Sequence, residues 1–188
     1  MIRLEAPFTE DKIRALKVGD MVSISGTLYT GRDAFHKHLH DGGAAPVDLT
    51  DQIIYHCGPV VVREGDRWTV KAAGPTTSIR EEPYQGDILR QFGVRGVIGK
   101  GGMGDKTLKA LQEVGAVYMH AVGGAAQVLA RCVTRVKNVY LLEELGSPEA
   151  VWELEVADFP VVITMDSHGG SLHREVLARS SQALDALL

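Results

Sequence analysis

Between Ile79 and Val122 two helix faces alternate with two short apolar strands, and this alternation restricts the possible folds more than any other stretch. Ile88, Leu89 and Phe92 form an apolar face that stops at Gly93, a good left-handed terminator, and Val94 to Ile98 follows as a buried strand. Leu108, Leu111 and Val114 make a second face ending at Gly115, and Ala116 to Val122 is the next strand. Strands separated by helices of about ten residues imply right-handed parallel crossovers.

The flanks extend this pattern. Val22, Ile24 and Leu28 alternate with small or polar residues from Met21 to Thr30, the period of a half-buried strand. Gly31-Arg32-Asp33 breaks it, and Ala34 to Leu39 forms a short helical turn. Ile53 to His56 is a strand, and Val60 to Arg63 with Arg67 to Ala72 reads as a hairpin around Glu64-Gly65-Asp66. Beyond the central region the reading is a helix from Ala125 to Val133, strands at Asn138 to Leu142, Trp152 to Val156 and Val161 to Met165, and a closing helix from Leu172 to Leu188. With no repeat or linker, residues 1–188 are expected to form one α/β domain with a β-rich start and a mixed, partly parallel sheet.

An apolar fraction of 45% and a charged fraction of 23% suit a soluble globule rather than a disordered or fibrous chain. The net charge of −4 with intermixed signs offers no stripe to neutralise a phosphate backbone, which argues against nucleic acid. Met1-Ile2-Arg3-Leu4-Glu5 lacks the segments of a signal peptide and no apolar run reaches membrane-span length, so a cytoplasmic protein is expected. Cys57 and Cys132 are too few and too far apart for a local metal motif; this chain is expected to hold no metal of its own.

Two runs carry the chemistry: Gly74-Pro75-Thr76-Thr77-Ser78-Ile79-Arg80 and Gly99-Lys100-Gly101-Gly102-Met103-Gly104. Each reads as the mouth of a helix that gathers hydroxyls, backbone amides and one cation, a setting for a small multiply charged anion. Gly99-x-Gly101-x-x-Gly104 fits the dinucleotide fingerprint formally, yet the region about twenty residues on reads Tyr118-Met119-His120 and supplies no acid for a ribose. Asp105 interrupts the phosphate-loop pattern. Lys100 instead stands at the carboxyl end of a buried strand, where open α/β sheets place ligands.

Three consecutive hydroxyls exceed what a helix cap needs, and an activated threonine can move a proton. Arg80 can grip a carboxylate through two parallel hydrogen bonds. Arg32, with Asp33 and His36, adds a third group at a strand end and suits the far charge of a dicarboxylate. His36 lies one helical turn from Arg32 and either faces the same site or orients Asp33. No cysteine or glutamate stands in ligand register with His36, His38 and His40, which disfavours zinc. Asp166-Ser167-His168-Gly169-Gly170 resembles a turn into a helix, because adjacent residues cannot line up as a catalytic relay.

Ser25 to Ala34, Gly74 to Arg80, Gly99 to Met103 and Met165 to Gly169, in that order, resemble the β-type domain of iron-sulfur hydro-lyases, the family of class I fumarate hydratase and L-tartrate dehydratase. The resemblance implies a swivelling β/β/α fold that closes over an α part, whose cysteines hold a four-iron, four-sulfur cluster acting as Lewis acid on the departing hydroxyl. It implies a separate β subunit, an α subunit as partner, an α2β2 assembly and a hydroxy-acid or dicarboxylate substrate: (S)-malate and fumarate first, L-tartrate as the alternative. By motif, Arg32, Thr77, Arg80 and Lys100 would bind carboxylates, and Thr76, Arg80 and His36 would serve catalysis, with Thr76 moving the proton. A nucleotide-binding module and a non-catalytic subunit are the competing readings.

Overall fold

The computed structural model describes residues 1–187. In chain order its elements are β1 (Ile2–Glu5), α1 (Glu10–Arg14), β2 (Met21–Thr30), α2 (Asp33–His40), β3 (Ile53–Tyr55), β4 (Val60–Glu64) and β5 (Arg67–Ala72). A 3-10 turn (Ser78–Glu81) then leads into α3 (Glu82–Phe92), β6 (Gly96–Gly99), α4 (Asp105–Val114), β7 (Val117–His120) and α5 (Ala126–Arg131). The chain continues through β8 (Val133–Tyr140), α6 (Leu142–Leu145), β9 (Val151–Met165) and α7 (Leu172–Asp185).

Strands β2, β3, β6 and β7 are mutually parallel in that order, and α3 and α4 lie on the connections between them, as the alternating apolar faces require. The long β9 runs antiparallel to β7 on one side and to β2 on the other, so β2, β3, β6, β7 and β9 form a closed circuit of pairings. Closure leaves these strands no free ladder edge along the shared stretch. β1 adds to the first half of β2 and β8 to the first half of β9, while β4 and β5 form a separate ribbon. The result is a mixed α/β fold with a mixed parallel and antiparallel sheet.

Side chains alternate between two cores, as the pleat dictates. Ile53, Tyr55, Ile98, Val117 and Met119 join Phe8, Trp152 and Phe159 in one cluster. Ile54, Val97 and Tyr118 face the other, built with Phe35 and Leu39 of α2, Ile88 and Leu89 of α3, and Leu108 and Leu111 of α4.

Several elements differ from the sequence reading. The expected helix from Ala125 to Val133 stops at Arg131, and Val133 already begins β8, which ends at Tyr140 short of the expected Leu142. β-branched Val133, Thr134, Val136 and Val139 favour the strand once β9 offers a pairing edge. β7 and β8, joined through α5, each pair antiparallel with β9 and so run in the same direction without a ladder between them. Trp152 to Val156 and Val161 to Met165 are two halves of β9, carried through the middle by Asp158 at φ 52 and by irregular registers with its neighbours. Short β1 and α1 had no strong periodicity. α7 carries no buried residue, and Leu188, the last residue of the expected closing helix, lies outside the described residues. Among the described residues no helix is long and apolar enough to cross a membrane.

Candidate functional site

The parallel strands bring four carboxyl ends to one edge, so Gly31-Arg32 after β2, His56 to Gly58 after β3, Lys100 after β6 and Ala121 after β7 emerge side by side. The segment Thr76 to Ser78 threads between two of these ends. Thr76 N donates to the His56 carbonyl at 2.7 Å, Lys100 N to the Thr76 carbonyl at 3.2 Å, and Ser78 N to the Lys100 carbonyl at 3.0 Å. Thr77 and Lys100 thereby form a parallel bridge, which makes the two motif runs spatial neighbours.

The arginines join from the other side. Arg80 Nη2 donates to Asp33 Oδ2 at 2.8 Å, yet its side chain stays 46% exposed, leaving N–H groups free to meet an anion. Arg32 crosses close over Gly58, where a Cβ would lie 2.6 Å from Arg32 Nη1. Its Nε is 3.3 Å from Glu149 Oε1 but is buried and out of line for a hydrogen bond. The other Glu149 oxygen accepts from Ala34 N at 3.0 Å and so anchors the start of α2. Among the described residues Lys100 has no salt-bridge partner.

Glu81, beside Arg80, is fully buried, and neither of its oxygens has a hydrogen-bond partner among the described residues. Burial first, then the carboxylates of Asp33 and Glu149, push its pKa up to about 8 against the pull of Arg80 and Arg32. Near neutral pH it therefore carries a proton, and the arginines face the two outer carboxylates alone.

One expected feature is corrected by the structure. The mouth of α4 is occupied by the chain itself, because the Glu82 carboxylate accepts from Gly104 N at 2.7 Å, Lys106 N at 3.0 Å, Thr107 N at 3.2 Å and Thr107 Oγ1 at 2.7 Å. Those amides are the ones a pyrophosphate would need. Thr77 stands at the start of the 3-10 turn, and its side chain makes no capping bond.

His36 is fully buried, with Nδ1 2.9 Å from the Arg32 carbonyl and Nε2 3.1 Å from the Gln85 amide. Its ring faces neither solvent nor the outer edge. Burial lowers its pKa, and does so more strongly for His56. His56, Gln85 and Tyr118 are not foreseen from sequence, and Ser78 is marked there only as the third of three consecutive hydroxyls; for His56 the one signal is a polar group closing the apolar run Ile53 to Tyr55. Asp166 is a turn clamp, accepting from Val18 N at 2.9 Å, His168 N at 3.0 Å and Gly170 N at 2.9 Å. A groove of 820 Å³ between β5 and β8 is lined by none of the motif residues.

Arg32, Arg80, Lys100 and the two threonines thus stand on adjacent loops at the carboxyl edge of the parallel strands, the edge where open α/β sheets place ligands. The family described as Fumarase C-terminus matches residues 1–176, and the chain belongs to that family. A Geobacillus stearothermophilus protein assigned as a class I fumarate hydratase is 62% identical over 185 residues; the match takes in 98% of this chain and 36% of that relative. A Methanocaldococcus jannaschii protein assigned as an L(+)-tartrate dehydratase subunit beta is 42% identical over 96% of this chain and 95% of its own length. The L(+)-tartrate dehydratase subunit beta of Escherichia coli K12 is 36% identical, covering 92% of this chain and 86% of the relative.

Proposed function

We propose that this chain is the β part of a two-part hydro-lyase, binding a four-carbon dicarboxylate or hydroxy acid and moving a proton at the carbon beside one carboxylate. The observation that carries the reading is the convergence of Arg32, Thr76, Thr77, Arg80 and Lys100 on one edge. In it, Arg80 and Lys100 hold one carboxylate and Arg32 the other, with Thr77 adding a hydrogen bond. Thr76, fixed by its two backbone bonds, presents the hydroxyl for proton transfer. Removing a carbon-bound proton leaves a highly charged enolate, and cations already in position stabilise it without reorganising. His36 acts through Arg32 and Gln85 rather than by touching substrate.

The family resemblance implies an iron-sulfur cluster, and the donors of this chain do not fit one. Cys57 is buried with its thiol pushed up to about 12 by burial, Cys132 lies elsewhere, and no group of three potential ligands exists among the described residues. The reading accordingly assigns the cluster to a partner chain, in an α2β2 assembly in the cytoplasm, and no step here is derived through it. Two relatives assigned as beta subunits are matched over most of their length, and the one assigned as a class I fumarate hydratase over 36% of its own, which supports reading this chain as the β part.

Fumarate and (S)-malate are the first substrates of this reading. L-tartrate is the second, favoured by the relatives that carry its name. The test is anaerobic reconstitution with the partner and assay of both reactions. Arg80→Ala should lower turnover by about a hundredfold or more, the scale of losing one preorganised charge-stabilising donor, with far-UV circular dichroism unchanged. Near-normal turnover in that variant would refute the role given to Arg80.

A further inference from the structure

A chain of hydrogen bonds through the buried polar interior links the three loops of the site. It starts at the Arg32 carbonyl, 2.9 Å from His36 Nδ1, and reaches the Gln85 amide, which lies 3.1 Å from His36 Nε2 and 2.9 Å from His56 Nε2. His56 Nδ1 is 2.9 Å from Ser78 Oγ, Tyr118 Oη is 2.9 Å from the same oxygen, and Gly102 N is 3.3 Å from Tyr118 Oη. His36, His56, Ser78, Gln85 and Tyr118 have no exposed surface. Gly99 makes the room: a Cβ there would stand 1.8 Å from Ser78 Oγ and 3.2 Å from His56 Nδ1.

With both rings neutral, the contacts of His36 decide which way the Gln85 amide faces. A carbonyl only accepts, so His36 Nδ1 carries a hydrogen, and since burial keeps the ring neutral, its Nε2 offers a lone pair. The Gln85 atom facing that lone pair must then donate. With Oε1 turned inward, acceptor meets acceptor and Gln85 Nε2 is left buried without a partner. Turned the other way, the NH2 group gives one hydrogen to each imidazole, and what goes unpaired is the Gln85 carbonyl oxygen, the less costly orphan, together with the hydroxyl hydrogen of Ser78, whose oxygen then accepts from both His56 and Tyr118. His56, likewise neutral, then accepts at Nε2 and donates from Nδ1 to Ser78.

We propose that Gln85 donates to both imidazoles, and that the resulting chain is a brace fixing the Arg32 loop, the Thr76 to Ser78 segment and the glycine loop in one arrangement. Its members are positioning residues, and their effect on catalysis rests on the hydro-lyase reading. The hydrogen pattern does not rest on it.

The full chain labelled with 15N-histidine tests the pattern by two-bond proton-nitrogen correlation, with His36→Asn and His56→Asn assigning the two rings. Both rings are expected as the neutral Nδ1–H form, without titration between about pH 6 and 8. An imidazolium at His36, or an Nε2–H form at either ring, overturns the proposal. Gln85→Glu replaces paired donors with acceptors and should convert at least one ring to the imidazolium; two rings still neutral and unchanged would also overturn it.

In the reconstituted complex Gln85→Leu, similar in bulk but without donors, should lower kcat/KM by about a hundredfold, the scale of an ångström-sized misplacement, and wild-type rates would sink the brace. Should Gln85→Leu not fold, Gln85→Glu serves for the same measurement. A wild-type complex inactive on malate, fumarate and tartrate would overturn the hydro-lyase reading and with it the kinetic role, while the nitrogen spectra decide the Gln85 assignment separately.

Discussion

Glu81 has no exposed surface, no hydrogen-bond partner, and Asp33 and Glu149 nearby. Its folded pKa of about 8 lies above that of the unfolded chain, so the folded state holds a proton that the unfolded state releases. The stability this gives is complete below the ordinary carboxylate pKa and is lost as pH rises from there through about 8, at no more than about 1.4 kcal/mol per unit. His36 and His56 act oppositely: with lowered pKa values they favour the fold as pH rises toward the ordinary histidine pKa. Comparing wild type with Glu81→Gln isolates Glu81: urea unfolding from about pH 5 to 8.5 should show the wild type losing stability relative to the variant. Parallel curves would refute the buried proton. Arg32, Arg80 and Lys100 were legible as candidates because glycine and hydroxyl neighbours marked them. Glu81 and Gln85 were not, because on an amphipathic stretch a buried acid or amide looks like a solvated one until the facing elements are known.

At the scale of elements, the glycine loop reads from sequence as a helix mouth, and the structure fills it from α3. Glu82 stands more than twenty residues from the amides it caps, and no local pattern of Gly99 to Thr107 can reveal that occupant. Four hydrogen bonds from one carboxylate make it a helix cap supplied from a distance. Glu82→Ala should therefore destabilise the chain by about 1–2 kcal/mol, seen as a lower denaturant midpoint at unchanged slope. A midpoint within error of wild type would show that water replaces the cap without cost. The helices with clean apolar faces and glycine stops, α3 and α4, were readable to within a few residues because local and tertiary preferences agree there. β8 and the joined β9 were not, since their limits depend on pairings between residues far apart in sequence, such as Val133 with Val156 and Met21 with Val162.

Over the whole molecule, β9 is the strand on which the arrangement depends, pairing with β2, β7 and β8. The parallel crossovers could be inferred from α3 and α4, but closure of the circuit could not, because nothing local in Val151 to Met165 says that both sides of that strand are used. The direct parallel ladders of β2 with β3 and of β3 with β6 set the end of β2, with Arg32, beside the other two, and β9 closes the far sides of β2 and β7, so the site exists only while these long-range ladders hold. Among the described residues the β4–β5 ribbon is the one sheet outside the circuit, and it is tied in through Trp68, whose ring meets that of buried Trp152 edge-on at a centroid distance of 5.2 Å. Such a contact couples the ribbon to the main core. Loss of tryptophan fluorescence and loss of far-UV ellipticity should thus follow one transition with a common midpoint, the behaviour of a cooperative unit. Trp68→Ala should loosen the ribbon, which carries the chain into the Gly74 to Arg80 run, and should weaken dicarboxylate binding in the reconstituted complex under conditions where the circuit, reported by the remaining Trp152, is still folded. Separate midpoints already in the wild type would mean that the ribbon melts by itself, and the site would then be held from the strand ends alone.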